Sequence, residues 1–474
     1  MIFVAKPSNF NLYIMKKNAI FQLILCLLFP TALSAQAYKS FDLNKYYTPD
    51  IIRNALDLSF LISDNYRSFQ TNNDSIASNM FDWELSPMFT RYKNTRNKVS
   101  NLYINGNTNG EINDEIDRKL SSKIINSLAV NYNLSLYSKK QRFLKLGLYS
   151  NYQNNYERTK NSPVELQNYT IENNNYNLKP TIGIGIGRIE SVRDARQAVY
   201  IIDELSKKQQ LSKNLSDEEV FEFAQTISKV KNKRFLDARL RKIEEITTID
   251  SFLLKNNFLT NQAAAYFTTL YDFWENGDLF ERNSGKILEF SFSPGANFSK
   301  LETTYNNTNQ LQDNNEYFGQ LNLAYVYHKQ LHLDWQQSLS TSLGLTLSDI
   351  NNVNILNQNS DVITNLFKTE GTFNFSYTLS YFPSTRSRFS LWTYHSNSLA
   401  LFENIVINDI EQASNKTFYS FSNLNATADY YFSPQLRLSG NIGIGYSYDY
   451  AKNSNYNKNS FAVGAGVTFN YSFF

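Results

Sequence analysis

Residues 436–450 read LRLSGNIGIGYSYDY. In an extended chain Leu436, Leu438, Ile442, Ile444, Tyr446, Tyr448 and Tyr450 share one side. Arg437, Ser439, Asn441, Ser447 and Asp449 take the other. Alternation of this kind is the signature of a strand with one apolar face. The same pattern recurs upstream: Phe373, Phe375, Tyr377, Leu379 and Tyr381 alternate with Asn374, Ser376, Thr378 and Ser380. Leu331, Leu333, Trp335, Leu339, Leu343, Leu345 and Leu347 alternate with His332, Asp334, Gln336, Ser338, Ser340 and Thr346.

Strands of soluble sandwiches usually run five or six residues, whereas a tilted membrane strand needs ~9–11. The segments here exceed both. In hydrocarbon every backbone N–H and C=O must be paired within the protein, which leaves a closed antiparallel β-barrel as the strand-built solution. The predicted segments are 55–68, 79–91, 97–106, 122–137, 142–156, 168–188, 286–301, 316–329, 332–347, 366–381, 388–403, 417–431, 436–450 and 460–474. That gives about 14 strands, or 12 if the poorly alternating first three are misread. Short links at 138–141, 329–331, 383–387 and 433–435 alternate with long polar stretches at 303–315, 348–365, 403–416 and 451–459, read as loops at the opposite end.

Composition agrees with a chain that faces lipid on one side and water on the other. Of 474 residues 15% are aromatic and 19% charged, and the mean hydropathy is −0.43. A net charge of +3 without a basic block gives no footprint for nucleic acid. Lys16 and Lys17, the apolar run from Ala19 and the Ala35-Gln36-Ala37 site form a secretory signal. The lone Cys26 sits inside it, so the mature chain is expected to hold neither a disulfide nor a Cys-based zinc site. The domain reading is 1–37 extension plus signal peptide, 38–189 N-terminal strands, 190–276 helical insert and 277–474 C-terminal strands.

Between the two strand regions the apolar period changes to that of helices. Val192, Ala195, Val199, Ile202 and Leu205 form one stripe; Ser216 to Glu219 is a capping box ahead of Val220, Phe223 or Ala224, Ile227 and Val230. Leu236, Leu240, Ile243, Ile246 and Leu253 predict a third helix, and Ala264, Phe267, Leu270 and Trp274 a fourth. Strand parity puts this insert at the end that holds both termini, hence in the periplasm, as a plug or as a docking surface for a periplasmic protein.

Little in the sequence carries chemistry. His328 and His332 flank a turn near Asp334, without the further ligands a metal needs. Outer-membrane lipid hydrolases pair Ser and His two residues apart on one face. Here His395 and Ser396 are adjacent and point to opposite faces, so an enzyme is not expected. Gly183, Gly185 and Gly187, like Gly443 and Gly445, sit in strand alternation and form no nucleotide loop; no cofactor is expected. By alternation the lumen-facing candidates are Asp334, Gln336, Asn374, Asn425, Asp429, Arg437 and Asp449.

The tail alternates Phe461, Val463, Ala465, Val467, Phe469, Tyr471 and Phe473, and the chain stops at Phe474. Phe469, Tyr471, Phe473 and Phe474 resemble the C-terminal assembly signal of outer-membrane proteins, which implies the barrel-assembly machinery and outer-membrane lipid as partners. The terminal Phe of that signal normally continues the outward series, whereas here the series ends at Phe473. With its Asn- and Tyr-rich strands the chain resembles uncharacterised outer-membrane barrels of Bacteroidota. The function expected from this is a pore or transporter for a small solute or secreted product, with a non-conducting anchor and a lipid-modifying enzyme as alternatives. The mature N-terminus is expected after Ala35 or Ala37, in the outer-membrane fraction; N-terminal sequencing that finds an intact Met1 in the cytosol would overturn this.

Overall fold

The computed structural model describes residues 38, 40–71, 74–115, 119–161, 168–232, 238–260, 264–305, 308–356, 361–408, 410–452 and 456–471. The predicted signal at 1–37, with Cys26, and the predicted assembly residues Phe473 and Phe474 lie outside them. Six strands come first: β1 Ile51–Thr71, β2 Asp74–Thr95, β3 Lys98–Glu115, β4 Lys119–Tyr137, β5 Arg142–Asn161 and β6 Tyr169–Ser191. Four helices follow, α1 Arg193–Lys207, α2 Asp217–Lys231, α3 Ala238–Lys255 and α4 Ala264–Asn276. The remaining strands are β7 Asn283–Tyr305, β8 Thr308–His332, β9 Trp335–Leu356, β10 Asp361–Ser384, β11 Ser387–Ile407, β12 Ile410–Gln412, β13 Asn415–Tyr431, β14 Leu436–Ala451 and β15 Tyr456–Tyr471.

Fourteen of these strands pair antiparallel with their sequence neighbours in one up-and-down sheet, and the short β12 pairs only with β11. The poorly alternating first three are full strands of 21, 22 and 18 residues. Burial along the strands is inverted relative to a soluble protein. Leu343, Leu345, Leu347, Ile442, Ile444, Leu288, Phe290 and Phe292 are exposed, while Ser291, Ser293, Gln336, Ser348, Ser380 and Asp429 are buried. One face thus presents a continuous aliphatic and aromatic surface, far more than a water-soluble monomer exposes. The fold is that of a membrane β-barrel chain: all-β, antiparallel, with an apolar face for lipid and an inner polar face.

The sheet is strongly curled. Arg188, on β6, donates to the backbone oxygens of Thr95 and Arg96 at 3.1 and 3.0 Å and to the Asn94 side chain, and it stacks over Tyr137. Strands β3, β4 and β5 lie between these partners, a separation of roughly 19 Å in a flat sheet at ~4.8 Å per strand. No arginine spans that, so the polar face is concave here. Gly187 makes the contact possible: its φ of +100° and a would-be Cβ 2.0 Å from the Lys286 carbonyl admit no side chain. Among the described residues no ladder joins β1 to β15, and these two edge strands expose both faces.

Two sequence expectations need correction. The polar stretches read as long loops are mostly strand: β7 and β8 are separated only by 306–307, and β9 and β10 by 357–360. Strand β8 has 25 residues, roughly 80 Å at ~3.3 Å each, far more than a bilayer core needs even when tilted. Backbone pairing therefore continues past the apolar belt, where Asn and Ser replace the aliphatic residues. The second correction is the turn at 329–331. Strand β8 runs to His332 through a register shift after Gln330, and Leu333 and Asp334 form the turn.

The α1 and α2 stripes are buried as read, and Ser216 and Glu219 form the reciprocal capping box. The α3 and α4 stripes are buried as read at Leu253, Leu270 and Trp274 and rotated elsewhere. Glu245, Ile249 and Leu253 are buried in α3 while Ile243 is exposed; Tyr266, Thr269, Leu270 and Trp274 are buried in α4 while Ala264 and Phe267 are exposed. Polar bonds set this rotation: Trp274 Nε1 donates to Glu245 at 3.0 Å, and the Tyr266 hydroxyl to Asp250 at 2.8 Å. Leu236 lies outside the described residues, as does the side chain of Leu240.

Leu343, 54% exposed, pairs with Leu323 and Phe373 in the middle of the apolar belt. Leu343→Arg is expected to destabilise the folded protein in bilayers by about 2–4 kcal/mol, and Ser342→Arg on the polar face to cost much less. Urea titration in lipid vesicles measures both; equal costs would contradict the assignment of faces.

Candidate functional site

The helices are fastened to the end of the sheet where β1 begins and β15 ends. Arg196, 3% exposed, donates to Asp334 at 2.6 Å and lies 3.5 Å over the Tyr200 ring. Arg282, directly before β7, donates to the Gln330 side chain and, at 2.9 Å, to the Leu333 carbonyl, and stacks over Phe382. Phe280 meets Phe382 and Tyr431 at ring distances of 5.7 and 5.4 Å. Arg386 reaches Asp272 of α4 at 2.9 Å. The β8–β9, β10–β11 and β13–β14 hairpin ends are all engaged. Burial, together with the neighbouring Arg196 charge, lowers the Arg282 pKa well below the usual arginine value, but a guanidinium stays cationic at neutral pH. Stacking on aromatic faces and bonding at the edges offset its desolvation.

A second clamp comes from the segment ahead of β1. Asp42 accepts from the Asn44 backbone at 3.1 Å and opens a single 3-10 turn, Leu43–Lys45. The Asn44 side chain donates to the Gln330 carbonyl at 3.0 Å and accepts from the Gln330 backbone and the Ser284 hydroxyl. Phe41 packs on Phe221 at 4.8 Å, and the Tyr46 hydroxyl lies 2.8 Å from Ser228 in α2. The segment is thus wedged between α2 and the bases of β7 and β8. Three apolar side chains within six residues are its only sequence mark, too short for any periodicity.

Inside the insert, Lys231 closes α2 onto α1. Its ammonium donates to Asp194 at 3.1 Å, to Asp278 at 2.7 Å and to the Gln197 side chain. Burial alone would raise the Asp194 pKa, but Lys231 and the Ser228 hydroxyl outweigh it and hold the carboxyl below its ordinary value. Neighbouring side chains Arg193, Arg196, Arg282, Tyr200, Phe280 and Phe382 line a shallow, solvent-open cleft between helices and rim.

Six of the seven candidate lumen residues lie on the polar face. Gln336 accepts from Gln330 at 2.7 Å; Asn374 accepts from Tyr394 and Ser396; Asn425 donates to Asn423; Asp429 binds Arg388 and Ser439. Arg437 lies over Tyr431, and Asp449 pairs in register with Lys458. Asp334 is the exception: the β8–β9 turn falls at Leu333 and Asp334 and not at 329–331, and the carboxylate there is taken by Arg196 of α1. Of the predicted assembly residues, Phe469 and Tyr471 are exposed on the apolar face of β15.

Other polar-face features were not legible in advance. Lys145 and Glu289 pair at 2.6 Å across β6, over the bare glycine face of Gly183 and Gly185. The buried Phe143 ring covers Gly185, where a Cβ would stand 2.2 Å from Phe143 Cζ. The glycine run is therefore room for a close neighbour. His328 bonds Ser338 at 2.7 Å, and among the described residues no cluster of metal-ligating side chains forms. His395 and Ser396 part to opposite faces: Ser396 donates to Asn374, whereas the His395 Nδ1 lies 2.8 Å from the Ser422 hydroxyl of β13 and its Nε2 2.8 Å from the Asn397 amide.

No family model matches the chain, and no curated protein is similar to it. Among solved structures it is similar to the β domain of the Bordetella autotransporter Brka at 8% identity and a TM-score of 0.27, covering 79% of this chain and 99% of that one. It is also similar to the P. putida toluene transporter TodX at 8% identity and a TM-score of 0.26, with 90% and 91% covered. A third is OmpT, an outer membrane protein of Vibrio cholerae, at 8% identity and a TM-score of 0.21, with 88% and 99% covered. Likeness at this level carries nothing about activity.

Lys231 is the single cation between two carboxylates, and removing one partner of such a cluster typically costs 3–5 kcal/mol. Lys231→Met is expected to destabilise the helical region by about that much, read as loss of protease protection at 193–276. The Asp194 pKa is depressed in the folded state, so its stabilisation is present above the unfolded value and is lost as pH falls through the lower folded value. Protection should therefore fade on acidification below the ordinary aspartate pKa of about 3.9, and should do so less steeply in Asp194→Asn; an unchanged profile would remove the ion cluster from the account.

Proposed function

We propose that the chain is an outer-membrane barrel through which a small polar solute or secreted product passes, with the helical insert as a cap over its periplasmic mouth. The observation that carries this is the fastening of the insert to three hairpin ends around a concave polar face. That face holds charged and amide groups in cross-strand networks, Lys145 with Glu289 and Asn297 with Glu316 at 2.7 Å. Water-filled lumens are lined this way. The expected signal peptide, with β1 beginning and β15 ending at the helical end, supports a periplasmic position for the insert. In this reading β1 and β15 zip together in lipid, guided by the barrel-assembly machinery, because unpaired edges are not tolerated in hydrocarbon.

A second reading, a non-conducting anchor that recruits a periplasmic protein, is favoured by one feature. Ile243, Leu254, Phe267 and Tyr271 are 56, 42, 41 and 50% exposed on α3 and α4. Apolar side chains turned away from the insert's own core suit a protein partner.

Planar-bilayer recording separates the two. The wild-type protein is expected to conduct in small or intermittent steps. The double variant Arg196→Ala with Arg386→Ala, which frees the insert from two rim contacts, is expected to conduct more and for longer. Absence of conductance in both folded proteins would leave the anchor as the better account.

A further inference from the structure

The cleft between α1 and the rim holds more positive charge than the side chains around it balance. Arg193 and Arg196 reach it from α1, Arg282 reaches it from the segment before β7, and Thr385 adds a hydroxyl from the β10–β11 turn. Arg196 and Arg282 are each 3% exposed. Arg196 pairs with Asp334, whereas Arg282 bonds only neutral oxygens, those of the Gln330 side chain and the Leu333 carbonyl. Arg193 pairs with Glu281, whose side chain is 67% exposed, so that water screens its charge. The two buried guanidiniums repel each other, and burial with that repulsion pulls the Arg282 pKa down to about 9. A buried cation without a counter-charge is costly.

Hydrogen-bonding capacity is left over as well. The Nε atoms of Arg193 and Arg196 are buried without an acceptor. Among the described residues one terminal nitrogen of each arginine, Nη2 of Arg193 and Nη1 of Arg196 and of Arg282, has none either. The Tyr200 and Phe382 rings hold Arg196 and Arg282 by their faces at 3.5 and 4.1 Å, which sets the donating edges before a ligand arrives. A planar carboxylate satisfies one guanidinium fork, whereas a tetrahedral oxyanion presents oxygens to several at once. The cleft is shallow and open, so it suits a charged head whose remainder stays outside.

We propose that this cleft binds the phosphate group of a phosphate ester, held by Arg193, Arg196 and Arg282. A phospholipid headgroup and a soluble sugar or glycerol phosphate present the same group. Bound there, the anion supplies the charge that Arg282 lacks and ties α1 to the segment ahead of β7. The site is independent of whether the barrel conducts.

The test uses the full chain, folded in detergent and washed free of phospholipid, and titrates inorganic phosphate and glycerol 3-phosphate by isothermal calorimetry. Saturable binding of one anion per chain is expected, competed by sulfate and not by acetate. Arg193→Gln, which gives up only the exposed Glu281, should weaken binding about tenfold or more, the worth of one charged hydrogen bond. Thr385→Glu, which adds a carboxylate to the cleft, should abolish it. Lys207→Gln, at the far end of α1, should leave it unchanged. Heat-modifiability on gels establishes that each variant is folded, and the wild-type titration needs no variant at all. Native mass spectrometry of protein extracted gently from membranes separates the sources. One phospholipid per wild-type chain, lost in Thr385→Glu, makes a headgroup the occupant; phosphate binding without retained lipid makes it a soluble ester. No saturable phosphate binding by the folded, lipid-free wild type, acetate binding as tight as that of phosphate, or wild-type affinity in both Arg193→Gln and Thr385→Glu would overturn the proposal.

Discussion

Everything in this molecule depends on the hydrogen-bond ladder between neighbouring strands, because hydrocarbon leaves no other partner for a backbone amide or carbonyl. The ladder is continuous from β1 to β15 in chain order. It imposes a period of two on every strand, and that period permits one surface to be aliphatic while the next residue is polar. The sequence is then sorted in reverse of a soluble protein: Leu343 and Ile444 are exposed, Ser348 and Asp429 buried. Such a surface has one stable environment, a lipid bilayer.

A ladder alone does not make a mouth. The helical end is organised by long cationic side chains that bring distant segments together: Arg188 draws β6 to the β2–β3 turn, and Arg282 and Arg196 hold helices on the rim. Arginine suits this because its planar head stacks on Tyr137, Tyr200 or Phe382 while its edges donate to carbonyls and carboxylates. Apart from the stack of Arg196 on Tyr200, each such contact joins residues more than forty positions apart. A rim held in this way keeps the insert in place while Ile243, Leu254, Phe267 and Tyr271 stay exposed on α3 and α4.

Legibility followed the range of the interactions. Alternation and the Ser216 capping box are local, so the strand count and the α1 and α2 stripes could be read directly. The rotation of α3 and α4 could not, since Glu245 is buried only because Trp274, twenty-nine residues on, needs an acceptor. Asp334 looked like one more inward strand residue; the register shift after Gln330 makes it a turn residue, and the docking of α1 gives it an arginine partner. Strand ends were missed for a different reason. Pairing outside the bilayer needs no aliphatic face, so β8 continues through Asn- and Gln-rich sequence that reads as loop.

The His395 neighbourhood shows the same limit at the level of chemistry. Along the chain His395 has Ser396 beside it, and a strand sends adjacent residues to opposite faces, so the pair looks inert. The serine that bonds the imidazole is Ser422, twenty-seven residues later, brought opposite by the antiparallel register of β11 with β13. A one-residue slip of β13 would send Ser422 and Leu424 together to the polar face and leave the imidazole only Asn397 of its own strand. The register that the apolar face fixes for the sake of lipid is thus the same register that assembles the hydroxyl, the imidazole and the amide. The apolar face and the hydrogen-bonded cluster set within it rest on one alignment of two strands.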